Sequence, residues 1–284
     1  MSFTDEFRRE SHIIYPPFSK MYFEKYFYRY IEKLYSEKKI TQELYERYIP
    51  VFWTELQFLH QYIKHHLQSA IDKLSKDKSY FTVVQHDDGI CLINMPNNVV
   101  VFGMGGVGDI PLPLTYDNKE LFENYKNNTK TVFCSFVGSL THPCRERMIS
   151  VMNEPDVVLI TTDIWTFRIE TEKQELFLDT TSKSRFTLAP RGYGKTSFRM
   201  YEALCLNSIP VYIYDDEWLP YKEVLDWSKL AILVHIDDVD TLYNRLKEIT
   251  DDQITEMLNY YHSVEHYFTY DGMCEYILNN NTII

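Results

Sequence analysis

The sequence predicts two α/β domains, and three observations carry that expectation. The first eighty residues read mostly helical before giving way to short β-branched and aromatic runs. The second half alternates five apolar runs with helical ones, the order expected of a parallel sheet. A polar stretch rich in Asn and Lys separates the halves. At 284 residues, 45% apolar and 25% charged, the chain has the volume for sizeable cores.

Taken in order, His12 to Pro17 reads as an extended start. KMYFEKYFYRYIEKLY then places Tyr22, Phe23, Tyr26, Phe27, Tyr30 and Leu34 at helical spacing, as a core-facing stripe. FWTELQFLHQYIKHHLQSAIDKL reads as a second helical stretch, and FTVVQ, NVVVF and IPLPL read as strands bounded by turn residues. DNKELFENYKNNTK, residues 117–130, reads as the linker and sets the expected division. The first domain is then 1–127 and the second 128–262, with a C-terminal helix at 263–284 able to pack back on the first. In the second domain TVFCSFVG, DVVLITT, RFTLAP, IPVYIY and AILVHI are unbroken apolar runs, as strands buried on both faces require. HPCRERMISVMN and SFRMYEALCLN read as helices between them, so this half is expected to be doubly wound. From Asp238 to Leu278 the pattern is mostly helical.

The net charge of −12 repels phosphate backbones and anionic lipid, so nucleic-acid and membrane-surface roles are disfavoured. The five cysteines, Cys91, Cys134, Cys144, Cys205 and Cys274, have no short paired spacing and read as reduced core thiols. No apolar stretch is long enough to span a bilayer. MSFTDEFRRE has neither a basic n-region nor an apolar h-region, and a cytoplasmic location is expected.

Four short patterns match known signatures without their context. Gly103-Met-Gly105-Gly-Val-Gly108 fits a dinucleotide fingerprint, but Asp109-Ile-Pro-Leu-Pro113 follows and cannot open a helix onto a pyrophosphate. Ala189-Pro-Arg-Gly-Tyr-Gly194-Lys195-Thr196 resembles a P-loop with Ala189 in place of the first glycine, and only Asp215 or Asp216 offers the magnesium carboxylate. A magnesium-dependent nucleotidase or kinase using Lys195 and Thr196 therefore stands as the alternative reading of that loop. His262-Ser-Val-Glu265-His266 has zinc-peptidase spacing but reads as a solvated helix face. Asp238-Val-Asp240 reads as helix-start acidity rather than a manganese site.

Residues 184–220 carry the chemistry. A strand enters a Gly-rich turn, a polar helix start and a second strand, which is the makings of an anion site. Gly192 and Gly194 let the backbone bend around a ligand, the amides near Ser197 point along the helix axis, and Arg191 and Arg199 add charge. A diphosphate fits that description. Glu202 lies one turn beyond Arg199, where it either accepts from a ribose diol or simply pairs with Arg199.

The same segment reads Pro190-Arg191-Gly192, Ser197-Phe-Arg199, Glu202-Ala203-Leu204 and Ile209-Pro210-Val211, in unbroken order. It resembles the C-terminal signature of the exostosin-like glycosyltransferases. CSFVGS with HPCRERM, Asp109-Ile-Pro-Leu-Pro113, Leu219-Pro220 and DDVDTLYNRL fall in the expected order as well. YIPVFWTEL is similar to short viral and bacterial members, and His86-Asp87-Asp88-Gly89 resembles the family's His-Asp-aromatic-Gly motif with Asp88 in the aromatic position.

This resemblance implies a GT-B fold, two Rossmann-like α/β domains facing a central cleft, with acceptor contacts from the first and the nucleotide sugar on the second. It implies inverting transfer from a UDP-sugar to a glycan hydroxyl, with Asp87 as the base and Asp88 the alternative. Arg145 matches the family's arginine after Phe-x-Gly and, with Arg191 and the helix start at Ser197, would stabilise the leaving diphosphate, so no metal cofactor is expected. Gly192, Tyr193, Gly194, Arg199 and Glu202 complete the implied nucleotide-sugar site. Tyr193 is placed to stack on uracil or fill the turn, Asp216 or Glu217 to receive sugar hydroxyls, while His142 and Lys195 are left without a role. Short soluble viral members acting on capsid glycans are nearest in appearance, which makes UDP-xylose the first expected donor. A chain that keeps the fold and binds glycan without turnover is a further alternative.

Overall fold

The computed structural model describes residues 3, 5–9, 21–162 and 169–280, so the expected extended start at His12–Pro17 lies outside them. The chain divides into two units, 1–117 with 269–284, and 118–268, against the expected boundaries after 127 and 262. The first unit is built on α1, Phe23–Ser36, which buries Phe23, Phe27 and Ile31 along one face while Tyr26, Tyr30 and Leu34 flank it half-buried. α2, Gln42–Arg47, is capped by the Thr41 hydroxyl, which accepts from Leu44 N. The expected second helical stretch is interrupted. α3, Trp53–Leu59, ends at His60, a 3-10 turn spans Gln61–Ile63, and α4, Lys64–Ile71, follows.

Three parallel strands complete the unit's sheet in the order β1, Tyr80–Val84, β2, Val99–Gly103, and β3, Ile110–Pro111, with Tyr80 opposite Val99 and Phe102 opposite Ile110. IPLPL pairs only through its first two residues, because prolines remove ladder donors. A helix at Tyr270–Leu278 closes the unit against α1. The Tyr270 ring lies 5.0 Å from Phe23, and Tyr26 Oη donates to Asp271 at 2.6 Å.

In the second unit the expected linker contains a short helix, α5, Glu120–Glu123, that buries Phe122. β4, Val132–Ser139, leads through α6, Pro143–Val151, to β5, Val157–Thr162. α7, Thr171–Ser182, β6, Ser184–Pro190, α8, Phe198–Cys205, and β7, Ile209–Tyr214, follow. β8, Ile232–His235, α9, Leu242–Glu248, and α10, Asp251–Val264, end the unit. The five strands are parallel in the order β5-β4-β6-β7-β8. Phe136, Phe186, Leu188, Val211 and Ile213 are fully buried between the helical layers, where truncation to Ala costs about 2–5 kcal/mol each. α7 is an addition to the expected pattern.

At the amino edge of this sheet Lys130 donates to Ser182 O at 2.7 Å and Leu206 O at 2.8 Å, the carbonyl ends of α7 and α8. Burial pulls its ammonium down to about 8. Each unit thus has its own parallel-sheet α/β architecture of the Rossmann-like kind. Among the described residues no helix is long and apolar enough to cross a membrane.

Candidate functional site

Sheet order fixes where a ligand can sit in the second unit. β5 lies on one side of β4 and β6 on the other, so the connections diverge at their carboxyl ends, the place where open parallel sheets take ligands. Arg145 spans this point. It sits on the first turn of α6, which starts at Pro143 and is capped by His142 Nδ1 accepting from Cys144 N at 3.2 Å. Arg145 Nε donates to Arg191 O at 3.0 Å and Nη1 to Ser139 O at 2.7 Å, joining the ends of β6 and β4. Only 8% of the residue is exposed.

The turn after β6 folds around its own arginine. Arg191 Nε donates to Gly194 O at 3.2 Å, Nη2 to Tyr193 O at 3.0 Å and Nη1 to Asp215 Oδ1 at 2.5 Å, while Gly192 N donates to Thr196 O at 3.0 Å. A Cβ on Gly192 would lie 3.2 Å from Arg145 Nη2, so the glycine lets the turn close on that guanidinium. Tyr193 stands at the tip, 64% exposed, and Gly194 is buried. Ser197 Oγ accepts from Arg199 N at 3.3 Å and starts α8, and the buried Thr196 hydroxyl has no hydrogen-bond partner among the described residues.

Of the two readings open for Arg199 and Glu202, the ion pair is formed, with Nη1 2.5 Å from Oε2. Arg199 also donates through Nε to Val137 O at 2.8 Å and lies 4.1 Å over the Phe177 ring, tying α8 to β4 and α7. Glu202 is 3% exposed.

Electrostatics around the turn are set by the arginines. Partial burial pushes Asp215 up, but the bond and charge from Arg191 outweigh it and hold the carboxyl below the usual range. Burial and then Arg191 pull His142 down, and burial pushes the Cys144 thiol up to about 11. Donor atoms of His142, Cys144 and Asp215 lie within 4.8 Å of one another. His142 Nδ1 caps α6, burial favours the protonated Cys144 thiol, and Asp215 Oδ1 pairs with Arg191, so a cation at this point would have to compete with each of these arrangements.

Lys195 pairs with Asp216 at 2.7 Å and Asp215 with Arg191, so the P-loop reading finds its lysine and both candidate carboxylates already paired, while its Thr196 hydroxyl is buried without a partner among the described residues. Asp240, expected to serve a helix start, instead receives both short bonds from Arg147, each 2.6 Å. The turn there is capped by His235. His262 lies 3.7 Å from Glu265 on the exposed side of α10.

Asp87 belongs to the first unit, on a turn that leaves β1. Gly89 N donates to His86 O at 2.9 Å, Gly89 takes φ +63°, and Asp88 N donates to His86 Nδ1 at 3.1 Å. Asp87 is half-buried and Asp88 exposed. Gln57 of α3 grips the far side, donating to Gly89 O at 2.8 Å and accepting from Cys91 N at 2.7 Å, while the Phe58 ring rests 4.8 Å from His86. The Gly103–Gly108 run supplies the support beneath. A Cβ on Gly105 would lie 2.5 Å from Asp87 Cα, and Asp109 closes the loop by exchanging two bonds with Val101. Sequence reasoning passed over Gln57, Gly105 and the pairing of Asp215 with Arg191; a glycine run with no helix behind it was the one legible hint.

A family model described as the Exostosin GT47 domain matches residues 60–249. Probable glucuronosyltransferase GUT1 of Oryza sativa subsp. japonica is 33% identical over 88 residues, 31% of this chain and 21% of that protein. Probable glycosyltransferase At3g07620 of Arabidopsis thaliana is 26% identical over 149 residues, 51% of this chain and 30% of that protein. The Exostosin-1 homolog of Caenorhabditis elegans is 26% identical over 177 residues, 53% of this chain and 46% of that protein. The matched part of this chain thus spans less than half the length of each of these relatives.

Proposed function

The chain belongs to the exostosin GT47 family, and we propose that it moves a sugar from a UDP-sugar to a glycan hydroxyl by inverting displacement. The observation that carries this reading is Arg145 at the divergence of β4 and β6, beside the 191–197 turn and the capped start of α8. The departing diphosphate gains negative charge as the glycosidic bond breaks. Arg145, Arg191 and the α8 amides are the groups assigned to stabilise it, with the diphosphate taking the place of the Asp215 carboxylate at Arg191. Glu202 is assigned to the ribose diol while keeping its pairing with Arg199, and Tyr193, exposed at the tip of the turn, to the uracil face. No divalent ion is required by this scheme.

Asp87 is the proposed base, removing the acceptor proton as the oxygen attacks the anomeric carbon. UDP-xylose is the first donor to try and UDP-glucuronate the second, the latter because the rice relative's name specifies glucuronosyl transfer. Thermal shift against a panel of UDP-sugars identifies the donor, and UDP release then compares Asp87→Asn with Asp88→Asn. The first is expected to lose about a hundred- to ten-thousandfold in turnover with UDP affinity kept, and the second to stay active. Full activity in Asp87→Asn would remove that residue from the chemistry.

A further inference from the structure

Glu24, on the first turn of α1, is a buried carboxylate that the scheme above does not use; it is 1% exposed. Its Oε1 accepts from Thr54 Oγ1 at 2.6 Å and Gln85 N at 2.8 Å, and its Oε2 from Thr54 N at 3.0 Å. Gln85 returns the contact, its Oε1 accepting from Phe23 N at 2.9 Å. Two reciprocal bonds therefore clamp the first turn of α1 to the last residue before the His86–Gly89 turn. The clamp also orients the Gln85 amide. Its Nε2 is buried with no hydrogen-bond partner among the described residues, whereas the reverse orientation would set two donors face to face at Phe23.

We propose that Glu24 is a positioning residue, fixing through Gln85 where the His86–Gly89 turn leaves β1 and so where the Asp87 side chain is delivered. This rests on the reading of Asp87 as the base. An ionised carboxylate holds its backbone donors more tightly than a neutral acid does. Burial pushes the Glu24 carboxyl up to about 7 against the bonds from Thr54 and Gln85, and the Glu55 charge adds to the rise. The other titratable groups facing it are Tyr22 at the start of α1 and Tyr48 ahead of α3, with His86 beyond Gln85. The clamp therefore tightens as pH rises through 7.

The test compares the full-length chain with Glu24→Gln, which keeps one acceptor and cannot titrate. Hydrogen exchange over residues 85–89 is expected to quicken about tenfold while residues 99–103 of β2 exchange as before, a loss matching one strong hydrogen bond. With the best donor of the panel, kcat for UDP release should fall about tenfold at unchanged KM for that donor, and the wild-type rise in kcat through pH 7 should vanish. Thr54→Val, which removes only the hydroxyl donor, should shift residues 85–89 in the same direction and serves if Glu24→Gln does not fold. Unchanged exchange at 85–89 in the variants obtained overturns the proposal, as does faster exchange spread equally into β2. Wild-type turnover in Asp87→Asn would sink the base assignment, leaving the exchange result to decide the clamp.

Discussion

Gly105→Ala is the sharpest probe of how the first unit holds Asp87. The added Cβ would lie 2.5 Å from Asp87 Cα and 2.7 Å from both Asp87 N and His86 O. These neighbours are backbone atoms and cannot swing aside. Relaxed carbon contacts begin at about 3.5 Å, so the turn carrying Asp87 must retreat by about 1 Å. Displacement on that scale costs about a hundredfold in rate when a reacting group is involved, and overpacking costs about 1–3 kcal/mol of stability. UDP release with the panel's best donor measures the first and thermal unfolding the second, while calorimetry should find UDP affinity unchanged. Gly192→Ala is the contrasting variant. Its Cβ meets the end of the Arg145 side chain at 3.2 Å, and a side-chain end can yield by a few tenths of an ångström. It should weaken UDP a few-fold, by roughly 1 kcal/mol, and lower turnover by a few-fold rather than a hundredfold, since Arg145 is also assigned to the leaving diphosphate. If Gly105→Ala turns over like wild type, Asp87 is not the base, or its turn is not held by that contact.

Arg191→Ala and Glu202→Gln should each weaken UDP by about 1.5–3 kcal/mol in calorimetry, the first losing a charged contact and the second also loosening Arg199; unchanged affinity in both would take the nucleotide away from this segment. Activity should survive excess EDTA, and complete loss restored by manganese or magnesium would transfer leaving-group stabilisation from the arginines to an ion. Lys130 has its folded pKa lowered to about 8, so between 8 and its unfolded value near 10.5 the unfolded chain binds more protons and the lysine's contribution to stability rises with pH. Thiols raised by burial, such as Cys144 at about 11, oppose this contribution from about pH 9 upward, so thermal stability from pH 8 to 10 should fall more steeply in Lys130→Met than in the wild type. Above pH 10 tyrosines raised by burial, such as Tyr45 at about 12, add to the loss.

The second unit's strands were legible because a strand covered on both faces needs an unbroken apolar run, and TVFCSFVG, RFTLAP and IPVYIY are such runs. α7 was not, since TEKQELFLDTTS buries hydroxyl residues, Thr180, Thr181 and Ser182, beside Phe177 and Leu178 and so shows no apolar stripe. The break at His60 has neither Gly nor Pro to announce it. Local parts of the site, Ser197 at a helix start and glycines at a turn, could be read directly. Gly105 under Asp87, Asp215 on Arg191 and Glu24 on Gln85 could not, because each pairing joins residues distant in sequence that only the sheets and the packing of α1 bring together.

The first unit is written in two pieces, with residues 118–268 between them, and this sets an order on synthesis. A ribosome delivers the whole inserted unit, including Lys130 and both helix ends that it caps, before Thr269 exists. Most of that unit is therefore made while α1 still waits for its lid. Until Tyr270 and Asp271 emerge, Phe23 and Tyr26 lack the ring and the carboxylate that complete their environment. The N-terminal piece of the first unit therefore keeps this aromatic face of α1 uncovered until the residues after 268 are made.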